Sequence, residues 1–184
     1  MRAGICILDT SARGPGEDDG LAARLAARLR LPAHRRAHRL VLESTFEPAR
    51  SQYDATALLR QVVALPHEPG EKLIAVVNVD LFIPVLTYVF GQAQLGGHAA
   101  ILSTCRLAGE FYGLPTDPVL LRERVEKEVF HELGHLFGLY HCRQFECVMR
   151  SSTDVEDVDL KRSAYCRDCE AAIARAVAEA RGAP

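Results

Sequence analysis

The sequence carries no excess of either charge. Its 184 residues include 22 lysines and arginines against 24 aspartates and glutamates, a net charge of −2. Without a basic field, nothing draws the chain to nucleic acid or to an anionic membrane, and both partners are set aside. A long unbroken apolar run is also missing. The longest apolar region, Leu73 to Phe90, is interrupted by Asn78, Asp80, Pro84 and Thr87, which excludes a transmembrane helix. Met1 to Thr10 lacks the charged region, apolar stretch and cleavage site of a secretory signal, so a cytoplasmic protein is expected. There is no internal repeat and no low-complexity tract. What is present suits a folded domain: 48% of the residues are apolar and 25% charged, enough to bury a core in one domain or a domain with a small lobe.

Local patterns outline the elements. Arg2 to Leu8 is a β-prone run, and Ser11 to Asp19, with two glycines, a proline and acids, reads as a turn. Leu21, Leu25 and Leu29 recur at helical spacing, and Pro32 ends that helix. Arg39 to Glu43 is expected as a second strand. Asp54 can cap a helix through Leu58, Leu59, Val62 and Val63 that stops before Pro66. Leu73 to Val79 is apolar almost throughout, as in a strand buried on both faces. Phe82 to Phe90 is ambiguous, because Pro84 lies within it. After the Gly96-Gly97 turn, His98 to Leu107 is expected as a strand. Asp117 and Pro118 supply a side-chain acceptor at the N-cap and a proline at the first helical position, so a helix should run from about 118 to 138. Irregular, cysteine-bearing chain follows, then a last helix from about Asp168 to Arg181. Strands alternating with helices point to an α/β fold with a mainly parallel sheet.

The segment His131-Glu132-Leu133-Gly134-His135 carries the chemistry. Two histidines four apart on a helix project from one face, one turn apart, close enough for both to reach one zinc ion. Leu121, Val125, Val129 and Leu133 form an apolar stripe on roughly the opposite face. Glu132, beside His131, is placed to take a proton from a zinc-bound water rather than to ligate the metal. Gly138 can end the helix in the left-handed conformation, letting the chain turn back and deliver His141 as a third ligand. Three protein ligands leave one position for water, the mark of a catalytic zinc. A solvated helix face is the competing reading of the histidine pair.

Of six cysteines, Cys142, Cys147, Cys166 and Cys169 fall within 28 residues. Two pairs separated by a loop read as one tetrahedral structural zinc site. Two disulfides, or a redox pair at Cys166 and Cys169, are the competing readings. Because His141 and Cys142 are adjacent, a metal held by the cysteines would fix the loop that carries the third histidine. Cys6 and Cys105 stand alone in apolar surroundings and read as buried, inert thiols.

Together these residues resemble the archaemetzincins, a branch of the metzincin metallopeptidases. The long histidine motif, a cysteine directly after the third histidine, Cys147 five positions later, Met149 two further on and a final Cys-x-x-Cys all match. The stretch Arg150 to Tyr165 is one residue shorter than the family pattern. The specific match spans about 39 residues, His131 to Cys169. The resemblance implies a metzincin-like α/β (α+β) fold, with a twisted, mainly parallel sheet, a backing helix, an active-site helix and an edge strand lining the cleft. It implies an N-terminal subdomain over 1–138 and a small zinc-tied C-terminal subdomain over 139–184. Met149 would support the base of the zinc site. Two zinc ions per chain are expected, one catalytic at His131, His135 and His141, one structural at the four cysteines. Zinc peptidase chemistry is implied, aminopeptidase-like in mode, with a peptide or protein as substrate.

The acidic run Asp154 to Asp159 is expected as a solvated loop, the competing reading being a site for a substrate ammonium. His34, His38, His67 and His98 read as surface or hydrogen-bonded residues. Tyr140 could aid an oxyanion or simply pack. Two functions fit: a zinc-dependent peptidase, and a zinc-stabilised protein that binds peptide with little turnover. Glu132 favours the enzyme, because a purely structural or binding site has no need of it.

Overall fold

A computed structural model describes residues 3–10 and 20–182. The expected turn at Ser11 to Asp19 lies outside them. In chain order the strands are β1 (Gly4–Asp9), β2 (Ala33–Ala37), β3 (Phe46–Glu47), β4 (Gln52–Asp54), β5 (Glu71–Val77), β6 (Leu81–Ile83), β7 (Leu86–Val89), β8 (Gly91–Ala93) and β9 (Ala99–Ser103). The helices are α1 (Leu21–Leu29), α2 (Ala55–Val63), α3 (Pro118–Leu136), α4 (Val155–Leu160) and α5 (Arg167–Gly182).

The main sheet has the order β2-β1-β5-β9-β8, parallel except for β8, which runs antiparallel along β9 at one edge. A second sheet has the order β3-β4-β6-β7. The fold is the α/β arrangement expected from the alternation of strands and helices. Its inner strands are apolar on both faces because both faces are covered. Ile5, Ile7, Ile74, Ala100 and Leu102 point to the side held by α1, α3 and α5. Cys6, Leu8, Leu73, Ala75 and Ile101 point to the side where α2 packs Leu58, Leu59 and Val62. Side chains of this size contribute about 1.5–3 kcal/mol each when fully buried. The same core that carries the sheet therefore also seats α3.

Four expectations need correction. The second strand is Ala33–Ala37, not Arg39 to Glu43. Its sequence is polar because β2 is the edge of the sheet, and pairing with β1 selects it. Arg35 reinforces that pairing through two hydrogen bonds to Asp9, at 2.9 and 2.6 Å. The strand expected over His98 to Leu107 stops at Ser103, and Cys105–Leu107 forms a single 3-10 turn. The acidic run is not a solvated loop but helix α4. Asp154 accepts the Asp157 N–H at its start, Val155 and Val158 are buried, and acids in its first turn favour the helix dipole. Cys105 is only half-buried, whereas Cys6 is buried as expected, with His34 and Glu71 beside it.

The ambiguous stretch around Pro84 is a hairpin, with Pro84 and Val85 in the turn between β6 and β7. Proline is tolerated there because a turn needs no ladder donor. Among the described residues no helix is long and apolar enough to cross a membrane.

Candidate metal centre

Asp117 accepts the N–H groups of Val119 and Leu120, and Pro118 opens α3 where its missing N–H costs nothing. The helix then runs long enough to carry His131, Glu132 and His135 on its last turns. Gly138 adopts φ +86, and Leu139 N–H bonds back to Gly134 O at 2.9 Å. This left-handed residue reverses the chain and brings His141 over the histidine pair. The three rings form a cluster, with centroids 4.7, 5.2 and 4.9 Å apart. One nitrogen of each lies within 4.8 Å of the others.

The remaining ring nitrogens show what the cluster fits. His131 Nδ1 lies 2.8 Å from Val148 O, and His135 Nδ1 lies 2.8 Å from Leu139 O. A carbonyl only accepts, so both Nδ1 atoms donate. In neutral imidazoles this leaves a lone pair on each Nε2. The two Nε2 atoms face each other at 3.1 Å. Two lone pairs so placed repel unless a cation lies between them. Two nitrogens bound tetrahedrally to one zinc would be about 3.3 Å apart. Burial holds His131 well below the ordinary histidine range, with Lys161 adding to it, and burial also lowers His135 and His141. Each of these shifts favours the neutral imidazole, the form in which histidine ligates a metal. These residues fit zinc.

Glu132 lies beside them and is almost wholly buried. Its Oε2 has no hydrogen-bond partner among the described residues. Burial, aided by the neighbouring Glu128, raises its pKa well above the usual carboxylate range. Its Oε1 presses on the backbone at Gly91, the first residue of β8. A side chain at position 91 would collide with it and lie 2.8 Å from Ile101 O. Sequence reasoning did not single out Gly91, since nothing local marks it.

Glu128, one turn before Glu132, also lines the cleft. Lys161 donates to it at 3.1 Å, and the two side chains are 0% and 4% exposed. Sequence reasoning missed this pair as well. Its only trace was a glutamate four residues before Glu132.

Met149 is fully buried beneath the histidines, in a turn closed by Arg150 N–H to Cys147 O at 2.9 Å. Cys142 N–H donates to Met149 O at 2.9 Å, tying the chain after His141 to that turn. Beyond it the structure gathers Cys142, Cys147, Cys166 and Cys169, with their Sγ atoms within 4.8 Å of one another and all four thiols free. Burial pushes Cys166 up, but hydrogen bonds from Cys169 and the neighbouring thiols outweigh it and hold its pKa below the ordinary value. Burial raises Cys147, and burial with the adjacent thiols raises Cys169. Four sulfurs gathered this closely, with no disulfide among them, match the donor set of a tetrahedral zinc site, which would hold them as thiolates.

Tyr140 is 75% exposed and lines the cleft. Away from the site, His67 and His98 stack at 3.9 Å, each with a ring nitrogen near a backbone carbonyl. The cleft is about 670 Å³ and lies between β7, β8 and the loop Ser151 to Thr153.

The profile of peptidase family M54 matches residues 19–175. The chain belongs to this family. It is 40% identical over 121 residues to the archaemetzincin of Methanocaldococcus jannaschii. That alignment covers 66% of this chain and 65% of the relative, just under two thirds of the latter's length. Its fold is similar to the crystal structure of the archaemetzincin from Methanopyrus kandleri, with TM-score 0.83, 32% identity and coverage of 96% of both chains. It is likewise similar to a zinc-dependent peptidase from Methanocorpusculum labreanum, with TM-score 0.82, 30% identity and coverage of 92% of this chain and 100% of that one. The archaemetzincin resemblance seen in the sequence is thus shown, and with it a metallopeptidase family.

Proposed function

We propose that this chain is a zinc-dependent peptidase in which Glu132 transfers the proton. One observation carries the reading: the unpartnered, buried Oε2 of Glu132 stands beside the three clustered imidazoles, all of them lining one cleft of about 670 Å³. His131, His135 and His141 would hold the catalytic zinc, and Cys142, Cys147, Cys166 and Cys169 a structural one. Zinc, when bound, polarises a peptide carbonyl and acidifies water. Glu132 takes one proton from the attacking water and returns it to the leaving amine, so the amide and one water become an acid and an amine. Gly91 keeps the Glu132 carboxylate against the cleft wall, and Val148 O and Leu139 O keep His131 and His135 turned inward.

The division of labour at 138/139 is part of this proposal. The N-terminal part supplies the sheet and α3, and the C-terminal part supplies His141, Met149 and the cysteines.

The test compares zinc-loaded wild type with Glu132→Gln on a broad peptide pool. Hydrolysis should fall by about 10²–10⁴-fold in the variant while zinc content stays the same. Equal inertness of both proteins would favour the peptide-binding alternative. Pairing free with N-acetylated peptides tests the aminopeptidase-like mode.

A further inference from the structure

The cleft is bridged. Tyr88, on β7, and Thr153, on the facing loop, both line it. The Tyr88 hydroxyl donates to Thr153 O at 2.6 Å, joining one wall to the other. Both ends of this bridge are anchored. The Arg106 guanidinium lies 4.0 Å from the Tyr88 ring centre and 4.6 Å from that of Phe111. Asp80 holds Arg106 through two hydrogen bonds of 2.5 and 2.7 Å. Phe90 packs edge-on against Tyr88 at 5.5 Å. Opposite, Asp157 accepts both the N–H and the hydroxyl of Thr153, each at 2.9 Å. A peptide running through the cleft past this point would have to pull Tyr88 off Arg106 or Thr153 off Asp157.

The rim fixes where the obstruction lies. The upper wall runs from Leu95 through β8 to Phe90, Tyr88 and Leu86. Gly91 marks the position of Glu132, because the carboxylate rests against it. Tyr88 is three residues further along the rim, at most about 10 Å at about 3.3 Å per residue. An extended substrate advancing beside the rim at the same rise meets the bridge after about two or three residues.

We propose that the Tyr88–Thr153 bridge limits the substrate to about two or three residues on that side of the scissile bond, so that the cleft trims chain ends instead of cutting within an extended chain. Tyr88 is then a specificity-determining residue. The proposal rests on the peptidase reading above and adds the substrate class to it.

The experiment follows where zinc-loaded wild type, Tyr88→Phe and Tyr88→Ala cut a pool of long unstructured peptides, with product lengths read by mass spectrometry. In wild type the cuts should cluster near one chain end. Tyr88→Ala should raise kcat/KM for internal bonds about tenfold relative to terminal ones. Tyr88→Phe should move the pattern part of the way, since its ring stays on Arg106 while the hydroxyl is gone. Product length is the decisive readout, because a purely structural role would change total rate and leave the lengths alone. Wild type cutting mid-chain as readily as near an end, or variants with unaltered product lengths, would overturn the proposal.

A second arm measures binding of alanine–leucine peptides of increasing length to Glu132→Gln, with and without Tyr88→Ala. Affinity should stop rising at short length with Tyr88 present and keep rising without it. If that pattern appears while no form cuts any peptide, the bridge stands and the peptidase reading falls. If affinity rises with length equally in both forms, or no peptide binds either, the bridge is refuted.

Discussion

The thioether of Met149 rests on the Cα of Gly134, so that a methyl group at position 134 would collide with its sulfur. The helix turn between the two histidines therefore passes directly over this buried methionine. Glycine inside a helix costs about 1 kcal/mol relative to alanine, and here that cost permits the close approach. Gly134→Ala should destabilise the protein by about 1–3 kcal/mol despite its better helix propensity. Urea unfolding measures this, and an unchanged or higher midpoint would mean that Met149 moves aside freely.

The cysteine cluster and the histidine cluster share backbone. His141 adjoins Cys142, Cys142 N–H bonds to Met149 O, and Val148 O accepts from His131. Cys147→Ser should weaken zinc binding at the histidines by about 10–100-fold without touching a histidine. Competition with a fluorescent chelator reads that affinity, and an unchanged value refutes the coupling.

Lys161 and Glu128 form an ion pair 33 residues apart in sequence, buried below the cleft. Lys161 also donates to Arg150 O at 3.2 Å. Lys161→Met leaves Glu128 as an unpaired buried charge and should cost about 3–5 kcal/mol. Adding Glu128→Leu should recover most of that loss. If the double variant unfolds as early as the single one, the cost lies in packing and not in charge.

Asp157 holds the lower wall of the cleft through Thr153 and Arg150. Hydrogen bonds from Thr153 hold its carboxyl below the ordinary aspartate value of 3.8. A group whose folded pKa is depressed stabilises fully above its unfolded value and loses that contribution as pH falls through the folded one. The stabilisation is thus present at neutral pH and fades below pH 3.8. Asp157→Asn should flatten this part of the acid-stability profile and increase amide exchange at Thr153 at neutral pH. A variant with the wild-type acid profile would assign the acid sensitivity elsewhere.

The parts legible in the sequence share a short range. His131, Glu132 and His135 are related by helix geometry, Gly138 by its left-handed turn, and Asp54 and Asp117 by capping. In each case the partner lies within a few residues, so local stereochemistry decides the outcome. The strand at Leu73 was legible because burial on both faces writes itself as a continuous apolar run. β2 was not, since an edge strand rich in arginine and histidine looks like loop until β1 pairs with it. Helix α4 was hidden for a related reason. Its acids read as a solvated run, whereas Asp159 bonds to Arg124 at 2.8 and 2.7 Å, 35 residues away.

By itself, then, the sequence determined which side chains could serve as metal donors, their order and the helix that presents the first two, because those relations depend on covalent spacing. Tertiary structure alone decided that Gly91 and Gly134 must lack side chains, that Lys161 lies under Glu128, and that Tyr88 reaches across the cleft to Thr153. Those contacts join segments tens of residues apart. Only the packing of α3 and its following loops against the sheet brings them within bonding distance.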